Sequence, residues 1–238
     1  MCPTERLDKV LSDAGVASRS EIRKMIRSGR ILVDGSAAAS PEMKIDRDTV
    51  KILVDGKPVD TARFRYFLMN KPAGVLSVTE DRKQDTVLDL LDEPQKKLGL
   101  FPVGRLDKDT KGLLLLTNDG DFAHRVISPA SGVTKVYCAE VDGIPDQEDV
   151  AAFEKGIVLR DGLHCLPAKL ELTGGNTCRV TVMEGKYHQV KRMLAARGKP
   201  VLQLKRIAIG GIELDETLAE GDIRELKDEE LCKIFNSK

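Results

Sequence analysis

The stretch that decides the fold is Gly104-Arg105-Leu106-Asp107-Lys108-Asp109-Thr110-Lys111-Gly112, followed by the apolar run Leu113-Leu114-Leu115-Leu116-Thr117 and the turn sequence Asn118-Asp119-Gly120. A short apolar run that ends in turn residues predicts a buried strand. The polar segment before it predicts a loop that places two carboxylates against the core. Because a charge is costly to desolvate, such a loop is either functional or a solvated hairpin, and the pattern alone favours neither.

Several kinds of chemistry do not fit this loop. A calcium loop would need an oxygen ligand where Lys111 falls and a bidentate glutamate where Asn118 falls. A nucleotide-phosphate loop would need a glycine-lysine-serine or -threonine ending. Two neighbouring carboxylates also make a weak glycosidase pair. What remains is a single carboxylate, Asp107, that a nearby cation keeps ionised, with Lys191 and Arg192 as candidate cations. Asp109 is then expected to be a solvated loop residue.

The composition is that of a globular protein that can form one large or two modest domains: 238 residues, of which 41% are hydrophobic and 32% charged. No apolar run is long enough to span a bilayer, and the N-terminus has no signal-peptide core. The five cysteines are widely spread and only three histidines occur, so neither a metal site nor a disulfide framework is predicted. A cytoplasmic location is expected.

The charges are segregated along the chain although they balance at 38 basic and 38 acidic residues. Residues 186–206 contain seven basic residues and no acid, whereas residues 213–230 contain nine acids and two bases. Binding follows the local field rather than the net charge, so a nucleic-acid partner remains compatible with the composition. The alternative is that these helix faces are charged for solubility.

The first 60 residues predict two short helices followed by a hairpin. Apolar spacing predicts a helix near residues 7–11 and a second one after a serine cap at residue 18 or 20. Asp34-Gly35 predicts a hairpin turn. Four arginines are expected to share one face of the second helix, which suits contact with a nucleic-acid backbone: Arg19, Arg23, Arg27 and Arg30.

This order of features resembles the S4 RNA-binding domain over roughly 50 residues. The matching segments are Arg6-Leu7-Asp8-Lys9-Val10-Leu11, Ser18-Arg19-Ser20-Glu21 and Gly29-Arg30-Ile31-Leu32-Val33-Asp34-Gly35. The resemblance implies RNA binding and not chemistry. We therefore expect a domain over residues 1–60, a linker over residues 57–65, and a second domain over residues 61–238.

The second domain is predicted to contain more strands than helices. Strands are expected around residues 66–69, 113–117, 135–141, 168–173, 178–184 and 202–209, and helices around residues 86–91, 122–127, 146–155 and 190–194. Frequent hairpin signals favour a mixed, mostly antiparallel sheet over a regular βαβ fold. The expected fold class is α+β, and the stretch after Gly210-Gly211 is expected to be an acidic tail.

Nearly the whole chain is similar to the RsuA-type pseudouridine synthases. The similarity rests on the opening stretch together with Asn70-Lys71-Pro72, Gly74, Lys135, Tyr137, Glu184-Gly185-Lys186-Tyr187-His188-Gln189-Val190-Lys191-Arg192-Met193, Leu204, Arg206, Gly210-Gly211 and Leu218-Ala219-Glu220-Gly221. Several long motifs match in order, which makes the signal far more specific than a single short motif.

The resemblance implies that Asp107 is the nucleophile that detaches uracil from its ribose before the base is rejoined through carbon. It implies that Tyr137 packs against the base and assists proton transfer, that Lys191 pairs with Asp107, and that Arg105 helps to turn the nucleotide out. No cofactor or metal is implied. Contacts to RNA are expected from Lys71, Arg192 and Arg206 as well as from the four arginines of the first domain.

The variant Tyr187-His188-Gln189-Val190-Lys191-Arg192 resembles the family members that act on 16S ribosomal RNA. The expected partner is therefore 16S ribosomal RNA, free or in a pre-ribosomal particle, acted on by a monomer that needs no membrane. The same chemistry on 23S ribosomal RNA is the first alternative. A non-catalytic RNA-binding or ribosome-assembly factor is the second, although a binder would need neither Asp107 nor Tyr137.

Overall fold

Two compact units divide the chain between Phe64 and Arg65 in a computed structural model that describes residues 4–47 and 49–235. The division lies after the sequence-based boundary at residue 60. The predicted linker was wrong at its start, because Lys57–Val59 forms a strand that pairs with Ile52–Val54 inside the first unit.

The first unit packs two helices with short strands. Its elements are β1 (Glu5–Arg6), α1 (Leu7–Asp13), α2 (Arg19–Arg27), β2 (Ile31–Val33), β3 (Ser36–Ala37), β4 (Lys44–Ile45), β5 (Ile52–Val54) and β6 (Lys57–Val59). The predicted serine cap is confirmed at Ser18, whose side chain and that of Glu21 each bond the other residue's backbone N–H. Leu7, Leu11 and Ile22 are fully buried in its core.

The second unit is built on a nine-stranded sheet. Its strands are β7 (Tyr66–Lys71), β8 (Phe101–Pro102), β9 (Lys111–Thr117), β10 (Lys135–Val141), β11 (Lys169–Gly174), β12 (Thr177–Val182), β13 (Val201–Ile209), β14 (Ile212–Glu213) and β15 (Ile223–Glu225). The order is β11-β12-β10-β13-β9-β7-β15, with β14 on β13 and β8 on β9. Its helices are α3 (Glu93–Lys96), α4 (Gly120–Ile127), α5 (Gln147–Lys155), α6 (Gln189–Ala196) and α7 (Asp228–Phe235). The α+β class is confirmed.

Strand β9 is buried on both of its faces, as its apolar run predicts. Leu113 and Leu115 pack into the cluster that contains α4, whereas Leu114 and Leu116 pack into a second cluster on the opposite face. Burying a leucine side chain contributes about 2 kcal/mol. Four consecutive leucines therefore fix the strand firmly, and with it the loop that precedes the strand.

A short parallel pairing joins the two halves of this sheet. Lys111 and Gly112 of β9 pair with Lys205 and Arg206 of β13, whereas the other strand pairs of this sheet are antiparallel within the described residues. Gly112 has φ +101°, and a Cβ there would overlap the carbonyl oxygen of Arg206. Only glycine allows both this backbone conformation and this close approach.

Two expectations for the second unit were wrong. Residues 86–91 form turns instead of a helix, and the short helix α3 begins after them with Pro94 in its first turn, where proline's missing N–H costs nothing. The acidic stretch is also part of the fold and not a tail, because β15 pairs with β7 and Arg224 bonds both Asp215 and Glu230.

Candidate active site

Asp107 lies in the loop between β8 and β9, and a buried lysine donates hydrogen bonds to the backbone of that loop. The Lys71 ammonium, at the end of β7, donates to the carbonyl oxygens of Pro72, Asp107, Lys108 and Thr110 at 2.9–3.3 Å. Lys71 is 0% exposed, and burial lowers its pKa to about 8. The expectation that Lys71 contacts RNA is therefore corrected: its charge is used to fix the backbone around Asp107.

A second set of hydrogen bonds fixes the residue before Asp107. The Ser77 hydroxyl donates to the carbonyl of Leu106 at 3.0 Å and accepts from its N–H at 3.1 Å. The N–H of Gly74 donates to the carbonyl of Lys108 at 2.8 Å. The Asp107 backbone is thus bonded on both sides, which limits the positions that its carboxylate can reach.

Two basic side chains face the Asp107 carboxylate, one from α6 and one from the residue just before that helix. Lys191 Nζ lies 3.2 Å from Oδ2 of Asp107, and His188 Nε2 lies 3.4 Å from Oδ1. The Asp107 side chain is 25% exposed, so solvent screens these interactions only in part. The predicted pairing partner Lys191 therefore lies next to Asp107, while His188 was not predicted to be in the site.

Asp109 shares Lys191 with Asp107. Its side chain is 76% exposed, in line with the expected solvated loop residue, but its Oδ1 also accepts a hydrogen bond from Lys191 Nζ at 2.5 Å, which was not predicted. Burial lowers the pKa of Lys191, but the hydrogen bonds that its ammonium donates to Asp109 and Asp107 outweigh burial and raise that pKa overall. The same hydrogen bond lowers the pKa of Asp109. Lys191 is accordingly a charged partner for two carboxylates.

Tyr137 on β10 lines the same pocket as Arg105, Asp107 and Lys186. Behind it lies Arg206, which donates to the carbonyl of Leu113 at 2.7 Å and approaches the Tyr137 hydroxyl at 3.4 Å. Arg206 is only 4% exposed, so its predicted contact with RNA is corrected to a role in orienting the tyrosine and joining β13 to β9. Arg105 is exposed at the pocket and has no hydrogen-bond or ion-pair partner among the described residues.

The segment Glu184-Gly185-Lys186-Tyr187-His188-Gln189 is held by a buried polar network. The Glu184 carboxylate, 6% exposed, accepts from the Leu166 N–H at 2.9 Å and from the Gln189 side chain at 2.8 Å. Gln189 in turn accepts from the N–H of Lys186 at 2.9 Å. The network sets the course of the backbone into α6 and so the position of Lys191.

The arginines predicted to bind RNA differ in their surroundings. Arg19, Arg23 and Arg27 are exposed on α2, and Arg23 lies 3.6 Å from the buried carboxylate of Asp8. Arg30 was wrongly assigned to this face, because the helix ends at Arg27 and the Arg30 guanidinium pairs with Asp55.

Arg192 pairs with Asp161 at 2.5 Å, which neutralises part of its charge beside the pocket. Within the described residues, no group of three or more His, Cys, Asp or Glu side chains could hold a metal ion. No helix in that part of the chain is long and apolar enough to cross a membrane.

The comparisons with known proteins agree with this architecture. The model of the RNA pseudouridylate synthase family matches residues 65–196, and that of the S4 domain matches residues 5–50. A Bacillus subtilis (strain 168) protein named as an uncharacterized RNA pseudouridine synthase is 45% identical over 95% of this chain and 96% of its own length. The ribosomal small subunit pseudouridine synthase A of Vibrio parahaemolyticus is 42% identical over 97% of this chain and 100% of its own.

A solved structure described as a pseudouridylate synthase superposes with a TM-score of 0.68, at 35% identity, over 97% of this chain and 99% of that one. An S4 domain followed by this catalytic unit defines an RNA-modifying isomerase. The chain belongs to the RNA pseudouridine synthase family.

Proposed function

We propose that this enzyme converts a uridine of 16S ribosomal RNA to pseudouridine with Asp107 as the nucleophile. The observation that carries the proposal is the meeting of Asp107, Tyr137 and Lys191 around one site, although they come from three distant parts of the chain. Lys191 Nζ lies 3.2 Å from the carboxylate and so places a positive charge beside the proposed nucleophile. One chain supplies all three groups, which supports action as a monomer.

The reaction begins when the carboxylate of Asp107 attacks the ribose C1′. The C1′–O bond to Asp107 forms as the C1′–N1 bond breaks, and uracil leaves with the electron pair. The freed base then turns, and its C5 attacks C1′ and releases the carboxylate. The proton lost from C5 balances the one gained at N1. Tyr137 packs against the base and assists this proton transfer.

The target nucleotide has to leave its helix before this chemistry can start. Neither C1′ nor the base edge can be reached in a stacked duplex, and unstacking costs a few kcal/mol. Arg105 is exposed at the pocket and has no ion-pair partner in the part of the chain that the structure describes, so it is placed to fill the space that the base vacates. A loop or bulge of the RNA is the less costly target.

The choice of 16S ribosomal RNA rests on relatives. Proteins named ribosomal small subunit pseudouridine synthase A align over nearly their whole length, including the Vibrio parahaemolyticus protein at 42% identity. The S4 domain supplies a second RNA-binding surface in addition to the catalytic unit. We infer action in the cytoplasm on 16S ribosomal RNA during assembly of the small subunit, with no cofactor.

The experiment is pseudouridine mapping of ribosomal RNA from cells that lack the protein. The deletion is complemented with the wild-type gene or with Asp107→Asn, which keeps the side chain's size and removes its charge. We expect one 16S site to disappear on deletion and to return only with the wild type. Loss of a 23S site instead would move the substrate to the large subunit. Restoration by Asp107→Asn would contradict the assignment of the nucleophile.

A further inference from the structure

Tyr187 is an exposed aromatic side chain beside the pocket of Asp107. It is 71% exposed, although its chain neighbours Lys186 and His188 both line that pocket. A tyrosine at this exposure contributes little to the core, and large aromatic residues are mostly buried. The mechanism proposed above gives Tyr187 no part in the reaction.

The Tyr187 ring lies flat on the imidazole of His188. The ring centroids are 3.8 Å apart and the planes differ by 18°. The same imidazole places its Nε2 3.4 Å from Asp107. The two rings therefore form a stack that begins at the nucleophile and ends in solvent at the open face of Tyr187.

The backbone that carries this stack is held firmly. His188 has φ 48°, a left-handed conformation that is unusual for a residue other than glycine. The Glu184–Gln189 hydrogen bond and the Gln189–Lys186 hydrogen bond close the backbone on either side of the two rings. Because this backbone is already ordered, stacking of another ring on Tyr187 costs less conformational entropy than it would on a flexible loop.

We propose that the open face of Tyr187 stacks on a nucleobase of the RNA next to the target uridine. Turning the uridine out leaves its neighbour with an uncovered face, and unstacked bases pack on aromatic side chains. Arg105 is exposed at the pocket and adds positive charge there, which favours a nucleic acid over an apolar partner, whereas the Lys186 ammonium is paired with Glu184 at 3.0 Å. The proposal rests on the proposed function and names a further contact of the same site.

The chain contains no tryptophan, so Tyr187→Trp creates a single fluorescent reporter that can still stack. The probe is a 16S ribosomal RNA fragment centred on the uridine mapped above, either intact or with abasic nucleotides on both sides of that uridine. We expect the intact fragment to quench the reporter and the abasic fragment to quench it far less. The matched control is Ile144→Trp, because Ile144 is 70% exposed and does not line the Asp107 pocket. Its emission should not distinguish the two fragments.

Equilibrium binding and single-turnover rates supply the second measurement. Tyr187→Ala should weaken binding of the intact fragment about 5- to 150-fold, the range that one base–aromatic stack supplies, and Tyr187→Phe should bind like the wild type. The abasic fragment should bind the wild type with the same loss and show no further loss with Tyr187→Ala. The rate at saturating enzyme should change less than the affinity.

Wild-type turnover separates the two ways in which the proposal can fail. If the wild type modifies the fragment and the Tyr187→Ala variant binds the fragment as tightly as the wild type, the stacking role is wrong and the proposed function stands. The stacking role is also overturned if Tyr187→Ala weakens binding of the abasic fragment as much as it weakens binding of the intact fragment. If the wild type forms no pseudouridine, the proposed function has failed and the stacking role fails with it.

Discussion

Lys191 donates a 2.5 Å hydrogen bond to Asp109 while it lies 3.2 Å from Asp107. The ammonium is thus divided between the proposed nucleophile and a second carboxylate two residues away. Asp109 raises the pKa of Lys191, so we expect Asp109→Asn to lower it. If protonated Lys191 is required, the alkaline limb of the kcat/KM profile will move to lower pH.

The control for this prediction is Asp161→Asn, because Asp161 pairs with Arg192 and not with Lys191. Its profile should keep the alkaline limb of the wild type. An Asp109→Asn enzyme with an unmoved limb would show that Lys191 is not the group that titrates there.

Lys71 donates hydrogen bonds to backbone carbonyls in and beside the Asp107 loop, and we therefore treat it as a positioning residue. Lys71→Met keeps an unbranched side chain but leaves four carbonyl oxygens without their donor. We expect a loss of about 1–3 kcal/mol in the free energy of unfolding and a fall in kcat that exceeds any change in KM. Urea unfolding and steady-state kinetics measure the two effects.

Lys135 provides a matched comparison, since it is also a buried lysine whose ammonium donates to backbone carbonyls, those of Val126 and Val133. Lys135→Met should affect the stability but leave kcat near the wild-type value. Equal losses of kcat in both variants would mean that the Lys71 effect is not local to the loop.

The stability difference between the wild type and Lys135→Met should depend on pH. Burial lowers the pKa of Lys135 from 10.5 to about 8. Between these values the unfolded chain binds a proton that the folded protein has lost, so the wild type gains stability as the pH rises. From pH 7 to pH 9.5 we expect it to gain about 2 kcal/mol on the variant in urea unfolding. A constant difference would contradict the lowered pKa.

The S4 domain should govern affinity rather than chemistry. A fragment that begins at Arg65 starts at the division between the two units and keeps every residue around Asp107. We expect it to fold, to bind RNA more weakly and to show a smaller dependence of affinity on salt, since each lost phosphate contact lowers the slope by about 0.9. Fluorescence anisotropy at several salt concentrations measures the slope.

In the full chain, Arg19→Gln with Arg27→Gln should reproduce part of the salt effect without truncation. If the fragment that begins at Arg65 is insoluble, the domain boundary is contradicted. If its affinity depends on salt as steeply as that of the full chain, the S4 domain does not contribute phosphate contacts.

The sequence predicted the parts of the fold that depend on local pattern. Four consecutive leucines and the turn after them identify β9, and serine at residue 18 with glutamate three residues later identifies the start of α2. The helix predicted over residues 86–91 was wrong. Their apolar spacing suited a helix, but Thr86 donates hydrogen bonds to the Asp89 side chain within a turn.

The site was predictable as a set of residues but not as an arrangement. Motif resemblance brought Asp107, Tyr137 and Lys191 together, and the structure places them around one site. The burial of Lys71 and Arg206 could not be read from sequence, because both residue types are usually exposed and only tertiary packing supplies their carbonyl partners. His188 was missed because its ring reaches Asp107 only through a left-handed backbone.

The two-residue parallel pairing of β9 with β13 has a consequence for how this enzyme can vary. Asp107 lies in the loop that leads into β9, whereas Tyr137 and Lys191 belong to elements on the β13 side of the pairing. Loops that make none of the contacts described above can lengthen without changing the distance between these groups, whereas a separation of the strands at Gly112 moves the nucleophile away from its partners. The spacing of the reacting groups therefore depends on the absence of one methyl group.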